Sequence, residues 1–438
     1  MHAETGGRRP PKFVLIGVGS AVFGARTMGD LFHFKDEFGR ATLSLVDLDA
    51  CVLDRMTTVA NKMNDAAGRP FRIEASTDRR DVLAGADFVV TSPAIKREEL
   101  WRKDWEIIHG AGIKMTYGEN GGPGSLSHTL RNVPMMLDIC RDVEELAPEA
   151  WVLNFTNPEA RICMAIARHT NLKFVGLCHQ IHAGYRIISG ALDIPEDDLD
   201  VKAAGLNHFT WAYDIRRRST GKNLYPRLHD KVRREGIEKE PMTAKMLELT
   251  GLFPMPGDHH LAEFLPFGWE FQGLHGRDFA WWNEHKRKKR AWVEGVVAGT
   301  AKIEEVVSGL SGERIAQMAL AILTNGNSFE ISMDVVNNGA IPNLPDDAIV
   351  ETPGVISGAG VTPLCMPPLP EIVAEFARRQ IACQELSVEA AVTGDRRTAL
   401  QTMVLDPVVD SSRVAEKVLD QLLEAHREYV SPRFFRAD

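Results

Sequence analysis

A short apolar run, Phe13-Val14-Leu15-Ile16, leads straight into Gly17-Val18-Gly19-Ser20-Ala21-Val22-Phe23-Gly24. Few local patterns restrict a fold as tightly. Gly17 permits a sharp turn, Gly19 lets the backbone approach a pyrophosphate, and the helix that follows offers its first amides to the same anion. A second apolar run, Leu43-Ser44-Leu45-Val46, ends at Asp47, 23 residues after Gly24. A carboxylate there can accept both ribose hydroxyls of NAD and repel the 2′-phosphate of NADP. The expected dinucleotide site is therefore Gly17, Gly19, Ser20, Phe23, Gly24 and Asp47. The plainer alternative is a glycine turn with Asp47 capping a loop. Gly24 also falls later than the commonest spacing of a third glycine.

Further apolar runs at Asp87–Val90, Trp151–Leu153 and Phe174–Leu177 lack clean polar alternation, as buried parallel strands do. Helical patterns lie between them, among them Thr27–Phe34 and Val133–Leu146. This alternation predicts an α/β fold, a Rossmann-type doubly wound parallel sheet. Beyond a soft boundary near 195–205 the pattern changes. Helices such as Trp292–Ser308 mix with Gly- and Pro-rich stretches, and Asn337–Pro370 reads as extended strands and loops capping a site. A last helix is expected over Ser411–Tyr429. The division expected is residues 1–200 for dinucleotide binding and 201–438, a second α+β lobe, for substrate, metal and oligomer contacts.

The 438 residues carry a net charge of −9 with both signs interspersed, which argues against a nucleic-acid surface. The basic run Lys286-Arg287-Lys288-Lys289-Arg290 reads first as a solvated helix face and second as an attractor for an anionic substrate or subunit. No stretch is long and apolar enough to span a membrane, and the polar start lacks a signal-peptide core, so a cytoplasmic protein is expected. Cys51, Cys140, Cys163, Cys178, Cys365 and Cys383 show no paired spacing and read as reduced thiols.

Three segments follow strand ends or turns, where open α/β sheets bind ligands. They are Asn154-Phe155-Thr156-Asn157-Pro158, Cys178-His179-Gln180 and Gly205-Leu206-Asn207-His208-Phe209-Thr210-Trp211. A converging Cys and His can hold a divalent ion and leave positions open for substrate; buried bystanders are the alternative. A fourth segment, Gly257-Asp258-His259-His260-Leu261-Ala262-Glu263-Phe264, crowds titratable groups ahead of an apolar run. Asp258 is there either a helix cap or a general base.

Taken together, these segments resemble family 4 of the glycoside hydrolases, a branch of the lactate/malate dehydrogenase-like fold. The match runs from the Gly17 turn to the Asn337-Asn338-Gly339 and Leu344-Pro345 segment. Cys178-His179, where the phosphoglycosidases have Cys-Asp, and the run from Gly257 look most like the α-galacturonidase and α-galactosidase branch. The resemblance implies an NAD- and Mn²⁺-dependent α-glycosidase. It would cleave by C3 oxidation, C2 deprotonation, elimination and water addition, in place of the usual pair of carboxylates. It also implies that Cys178 and His208 bind the metal. Asn157, Asn207 and Arg97 would contact substrate, with Lys96 beside Arg97. His179 would protonate the leaving oxygen. Asp258 is the first choice for the base and His260 the second, because the tyrosine used by the phosphoglycosidases is missing from that region. An α-galacturonide is the expected substrate. The alternatives are an α-galactosidase or α-glucuronidase, or a hydroxyacid dehydrogenase on the same fold. The partner expected is a small glycoside or uronide, and the family suggests a homodimer or homotetramer.

Overall fold

The computed structural model describes residues 9–20, 24–178, 180–303 and 310–436. Six parallel strands open the chain: β1 (Lys12–Ile16), β2 (Thr42–Val46), β3 (Arg72–Ser76), β4 (Phe88–Thr91), β5 (Trp151–Asn154) and β6 (Lys173–Gly176). They lie in the order β3-β2-β1-β4-β5-β6, with the chain's first strand at the centre. Each pair is parallel and in continuous register. This is the doubly wound arrangement that the glycine turn predicts. The strand that the apolar runs do not reveal is β3. Its sequence Arg-Ile-Glu-Ala-Ser lies at the edge and is half exposed, so no hydrophobic run marks it.

The remaining strands extend the same sheet. They are β7 (Leu199–Leu206), β8 (Phe209–Arg217), β9 (Phe253–Pro254), β10 (Ser328–Val336), β11 (Ile349–Ser357) and β12 (Gly360–Pro363). Strand β10 joins β6 antiparallel through Asp334 and Gly176, and the order continues β10-β11-β7-β8-β9. The Pro- and Gly-rich segment, expected to form extended strands and loops, contributes β11 and β12 to this sheet.

The helices that matter below are α1 (Gly24–His33), α2 (Ala50–Ala66), α3 (Arg97–Gly110), α4 (Gly122–Leu146), α5 (Glu159–His169), α6 (Ile181–Leu192), α7 (Pro241–Thr250), α8 (Gly257–Leu261), α9 (Phe279–Ala298), α10 (Glu371–Thr393) and α11 (Ser412–Ala425). Alternate residues of β1 feed opposite faces of the sheet. Phe13 and Leu15 enter one apolar core, Val14 and Ile16 the other. The first core mixes Leu43 and Phe88 with Ile315, Val350 and Ile381. The second mixes Val89, Leu137 and Val152 with Ile349, Val388, Leu419 and Leu423. Both cores therefore draw on residues from either side of position 200. No described helix is long and apolar enough to cross a membrane.

Candidate active site

The Gly17 turn has the backbone the sequence asks for. Gly17 sits at φ +86, and a Cβ there would meet the Pro93 nitrogen at 2.7 Å. The Gly19 N–H donates to Asp47 Oδ2 at 2.8 Å, and Asp47 Oδ1 accepts from the Asp49 N–H at 3.1 Å. A cleft of about 2030 Å³ opens over this turn, lined by Gly17, Gly19, Ser20, Asp47, Leu48, Arg97, Asn157 and Lys286 among others. Leu48 beside Asp47 is 86% exposed, an apolar platform at the cleft wall. Gly24 does not line that cleft; it is buried, and a Cβ there would strike the Val18 carbonyl oxygen. Its glycine serves helix–strand packing. Phe23 and His179 lie outside the described residues.

At the other end of the cleft, β5 and β6 deliver Asn157 and Cys178. The two-residue turn between β7 and β8 delivers His208. Cys178 Sγ lies 3.2 Å from His208 Nε2. Asn120 spans the gap to the cleft, with its amide nitrogen 3.0 Å from His208 Nδ1 and 3.5 Å from Asn157 Oδ1. Burial, with the charge of Glu351 added, pushes the Cys178 thiol well above its ordinary range. A thiol so placed ionises readily only against a cation.

His208 holds φ +60, a left-handed conformation uncommon for a side chain of its size. Beneath this turn lie three buried carboxyl groups, Glu159, Asp334 and Glu351. Burial raises the pKa of each, and mutual repulsion adds to it. Glu351 accepts the His208 backbone N–H. Asn207 donates its amide to Asp334 at 3.1 Å and Glu351 at 3.3 Å. These buried donors hold the turn that carries His208, and the Asn207 side-chain oxygen is left without a protein partner among the described residues.

The segment from Gly257 divides its roles. Asp258 turns away from the His208 pair. Its two oxygens accept the backbone N–H groups of Met242 (2.7 Å) and Thr243 (2.6 Å) at the start of α7, and Glu240 takes its own N–H. It is a helix cap, and the first-choice base is corrected on that geometry. His260 faces the pair instead, with its ring centroid 3.9 Å from that of His208. Its Nδ1 lies 2.8 Å from Glu263 Oε1. His208, His260 and Glu263 form a group with ligand atoms within 4.8 Å of one another.

A charged cluster completes this end. Arg97 pairs with Glu119, Lys286 and Arg277 pair with Glu98, and Arg277 also donates to Tyr117 Oη at 2.8 Å. Three cations thus face two carboxylates. Burial beside Arg97 and Arg290 lowers Lys286 to about 8. The basic run is not a solvated face alone, since Lys286, Lys288, Lys289 and Arg290 line the cleft. Sequence reasoning missed Glu119, Asn120, Glu159, Asp334 and Glu351. Glu119 and Asn120 sit in the glycine-rich stretch Gly118–Gly124, which reads as a flexible loop lining the cleft without singling out either residue, and the other carboxylates carry no local pattern.

The sequence profile described as "Family 4 glycosyl hydrolase" matches residues 12–194, and that of its C-terminal domain matches residues 203–409. An α-glucosidase of Erwinia rhapontici is 31% identical across 96% of this chain and 99% of its own length. An α-galacturonidase of Bacillus subtilis (strain 168) is 28% identical across 94% and 97%. Among solved structures, a 6-phospho-α-glucosidase from gut microorganisms, in complex with NAD and Mn²⁺, superposes with a TM-score of 0.85 at 21% identity, covering 96% of this chain and 99% of that one.

Proposed function

Because the chain belongs to the family 4 glycosyl hydrolases, we propose that this glycosidase cleaves an α-linked uronide, an α-galacturonide, with NAD⁺ and a divalent cation such as Mn²⁺ bound in the cleft. One observation carries the reading: Cys178 and His208, 30 residues apart and carried by different strands, meet at 3.2 Å. A soft thiolate beside an imidazole suits a transition-metal ion and leaves positions open for sugar oxygens. The Asn120 side chain, 3.0 Å from His208 Nδ1, braces the ring from the side away from Cys178, so that Nε2 faces the thiol. The bare glycine turn, the Asp47 carboxylate and the Leu48 platform fit NAD⁺ in the same way.

When bound, NAD⁺ supplies reversible oxidation at sugar C3, and the metal polarises the resulting carbonyl. The chain's own groups do the rest. Asn157, at the cleft wall, orients sugar hydroxyls. His260, with Nδ1 engaged by Glu263, offers Nε2 to the C2 proton. His179, adjacent to Cys178 in sequence, gives its proton to the leaving oxygen. Arg97 and the surplus positive charge it shares with Arg277 and Lys286 favour a substrate with one carboxylate.

The test is aglycone release from aryl α-D-galacturonide with NAD⁺, Mn²⁺ and a reductant, beside α-glucuronide, α-galactoside and 6-phospho-α-glucoside. The galacturonide should react fastest, with no net NADH. Release confined to neutral or phosphorylated sugars would remove the uronide, and steady accumulation of NADH would point to a dehydrogenase.

A further inference from the structure

The carboxylate of Glu263 is 1% exposed, and no lysine or arginine pairs with it among the described residues. Its charge is balanced otherwise. Oε2 accepts three consecutive backbone N–H groups, from Glu119 (2.7 Å), Asn120 (2.8 Å) and Gly121 (3.3 Å). The chain passes so close that a Cβ on Gly121 would meet Glu263 Cβ at 3.0 Å. Oε1 remains, and it lies 2.8 Å from His260 Nδ1. With Oε2 turned to three N–H donors, Oε1 is the acceptor left for the ring, a geometry that suits a proton on Nδ1 and a lone pair on Nε2.

We propose that Glu263 is a positioning residue that fixes the tautomer of His260 and, through the same carboxylate, locks the 119–121 segment against it. That segment carries Asn120, which touches His208, and Glu119, which holds Arg97. One buried side chain thus sets the ring that accepts the proton, braces a neighbour of the metal pair and anchors the cation offered to substrate. The consequence for turnover rests on the reading of His260 as base; the tautomer does not.

Glu263→Gln separates the two. Its amide oxygen can keep the three backbone donors. Its NH₂ then faces His260 Nδ1 and, as a donor, draws the ring proton to Nε2, which can no longer accept one. Loss of the correct tautomer in a histidine–carboxylate pair costs on the order of 10³- to 10⁴-fold in kcat. That loss is expected here, with the Kd of NAD⁺ and Mn²⁺ changed less than about threefold, because the proposed ion is held by Cys178 and His208. The direct readout is a long-range ¹H–¹⁵N spectrum of histidine-labelled protein loaded with NAD⁺ and diamagnetic Mg²⁺. Wild type should show His260 protonated at Nδ1, and Glu263→Gln at Nε2. A wild-type ring protonated at Nε2 overturns the proposal whatever the variant does, and so does a variant that keeps the wild-type tautomer. A tautomer that switches while turnover stays untouched sinks His260 as base and leaves the positioning role standing.

Discussion

The Cys178–His208 pair, at 3.2 Å, is where a single atom decides most. Replacing Cys178 by Ser exchanges a soft ligand for a harder, far less acidic one in the same volume, so the ion loses its thiolate. Mn²⁺ affinity should fall at least about 100-fold, read by titration against the electron paramagnetic resonance signal of free Mn²⁺, with NAD⁺ affinity little changed. Unaltered Mn²⁺ binding would break the metal assignment. Asp258 supplies the opposite case. Its oxygens cap α7, so Asp258→Asn should cost roughly 1 kcal/mol of stability, as a lost helix cap does, and leave kcat within about threefold. A collapse of kcat at unchanged Tm would return the base role to Asp258. At this scale the sequence was a partial guide. The strand ends singled out Cys178, and only the resemblance paired it with His208, since spacing alone left two buried bystanders open. The choice between Asp258 and His260 was not legible, since both sit in one short run and only the fold of α8 turns one toward α7 and the other toward His208.

Elements settle what single residues leave open. The first turn of α1 rests on the strand–turn backbone, where Gly24 leaves no room above the Val18 carbonyl. Gly24→Ala should force the helix off the turn, at about 1–3 kcal/mol for overpacking, and weaken NAD⁺ binding with it. Calorimetric titration and a Tm measurement check both at once. Helices α7 and α8 are joined by two carboxyl groups, Glu240 and Asp258, packed against each other. Burial raises both, Glu240 to about 7 from the usual 4.5; Asp258 adds to the rise of Glu240, whereas the hydrogen bond with Glu240 lowers Asp258. The folded chain therefore holds a proton that the unfolded chain has released. Stability from this contact is full below about pH 4.5 and declines as pH rises through 7. Glu240→Gln should flatten the Tm profile between pH 5 and 8, whereas a slope identical to wild type would place the titration elsewhere. Elements were also unevenly legible. The five apolar runs marked real strands, while β3 escaped because an edge strand needs no apolar face, and β11 was anticipated only as extended chain within Asn337–Pro370, since Pro353 and Gly354 blur its bounds.

For the molecule as a whole, the division near residue 200 is a matter of chemistry more than of packing. The sheet does not stop there: β6 is covered by β10, and β11 links that strand to β7. Helix α4 packs against α10, and its first amide, Gly122 N–H, donates to Asp406 at 3.1 Å. Without residues beyond 200, the β6 edge and the faces of α4 and α5 that meet α10 would stand in water, a large apolar area of the kind that drives association. A fragment of residues 1–200 should therefore retain secondary structure, bind a hydrophobic dye, aggregate and lose most NAD⁺ affinity, although it holds every residue of the glycine turn. The full chain should unfold in one cooperative step. NAD⁺ at about 100 times its Kd should raise the stability of that step by roughly 2.7 kcal/mol and move every spectroscopic probe together. Two resolved transitions in calorimetry, with NAD⁺ shifting only one, would make the halves independent domains. The metal pair would then lie across a true domain boundary, and His208 would be free to leave Cys178 as the halves moved. A single transition ties the integrity of the site to the whole sheet, which is why ligands can be drawn from positions 178 and 208 at no cost in precision.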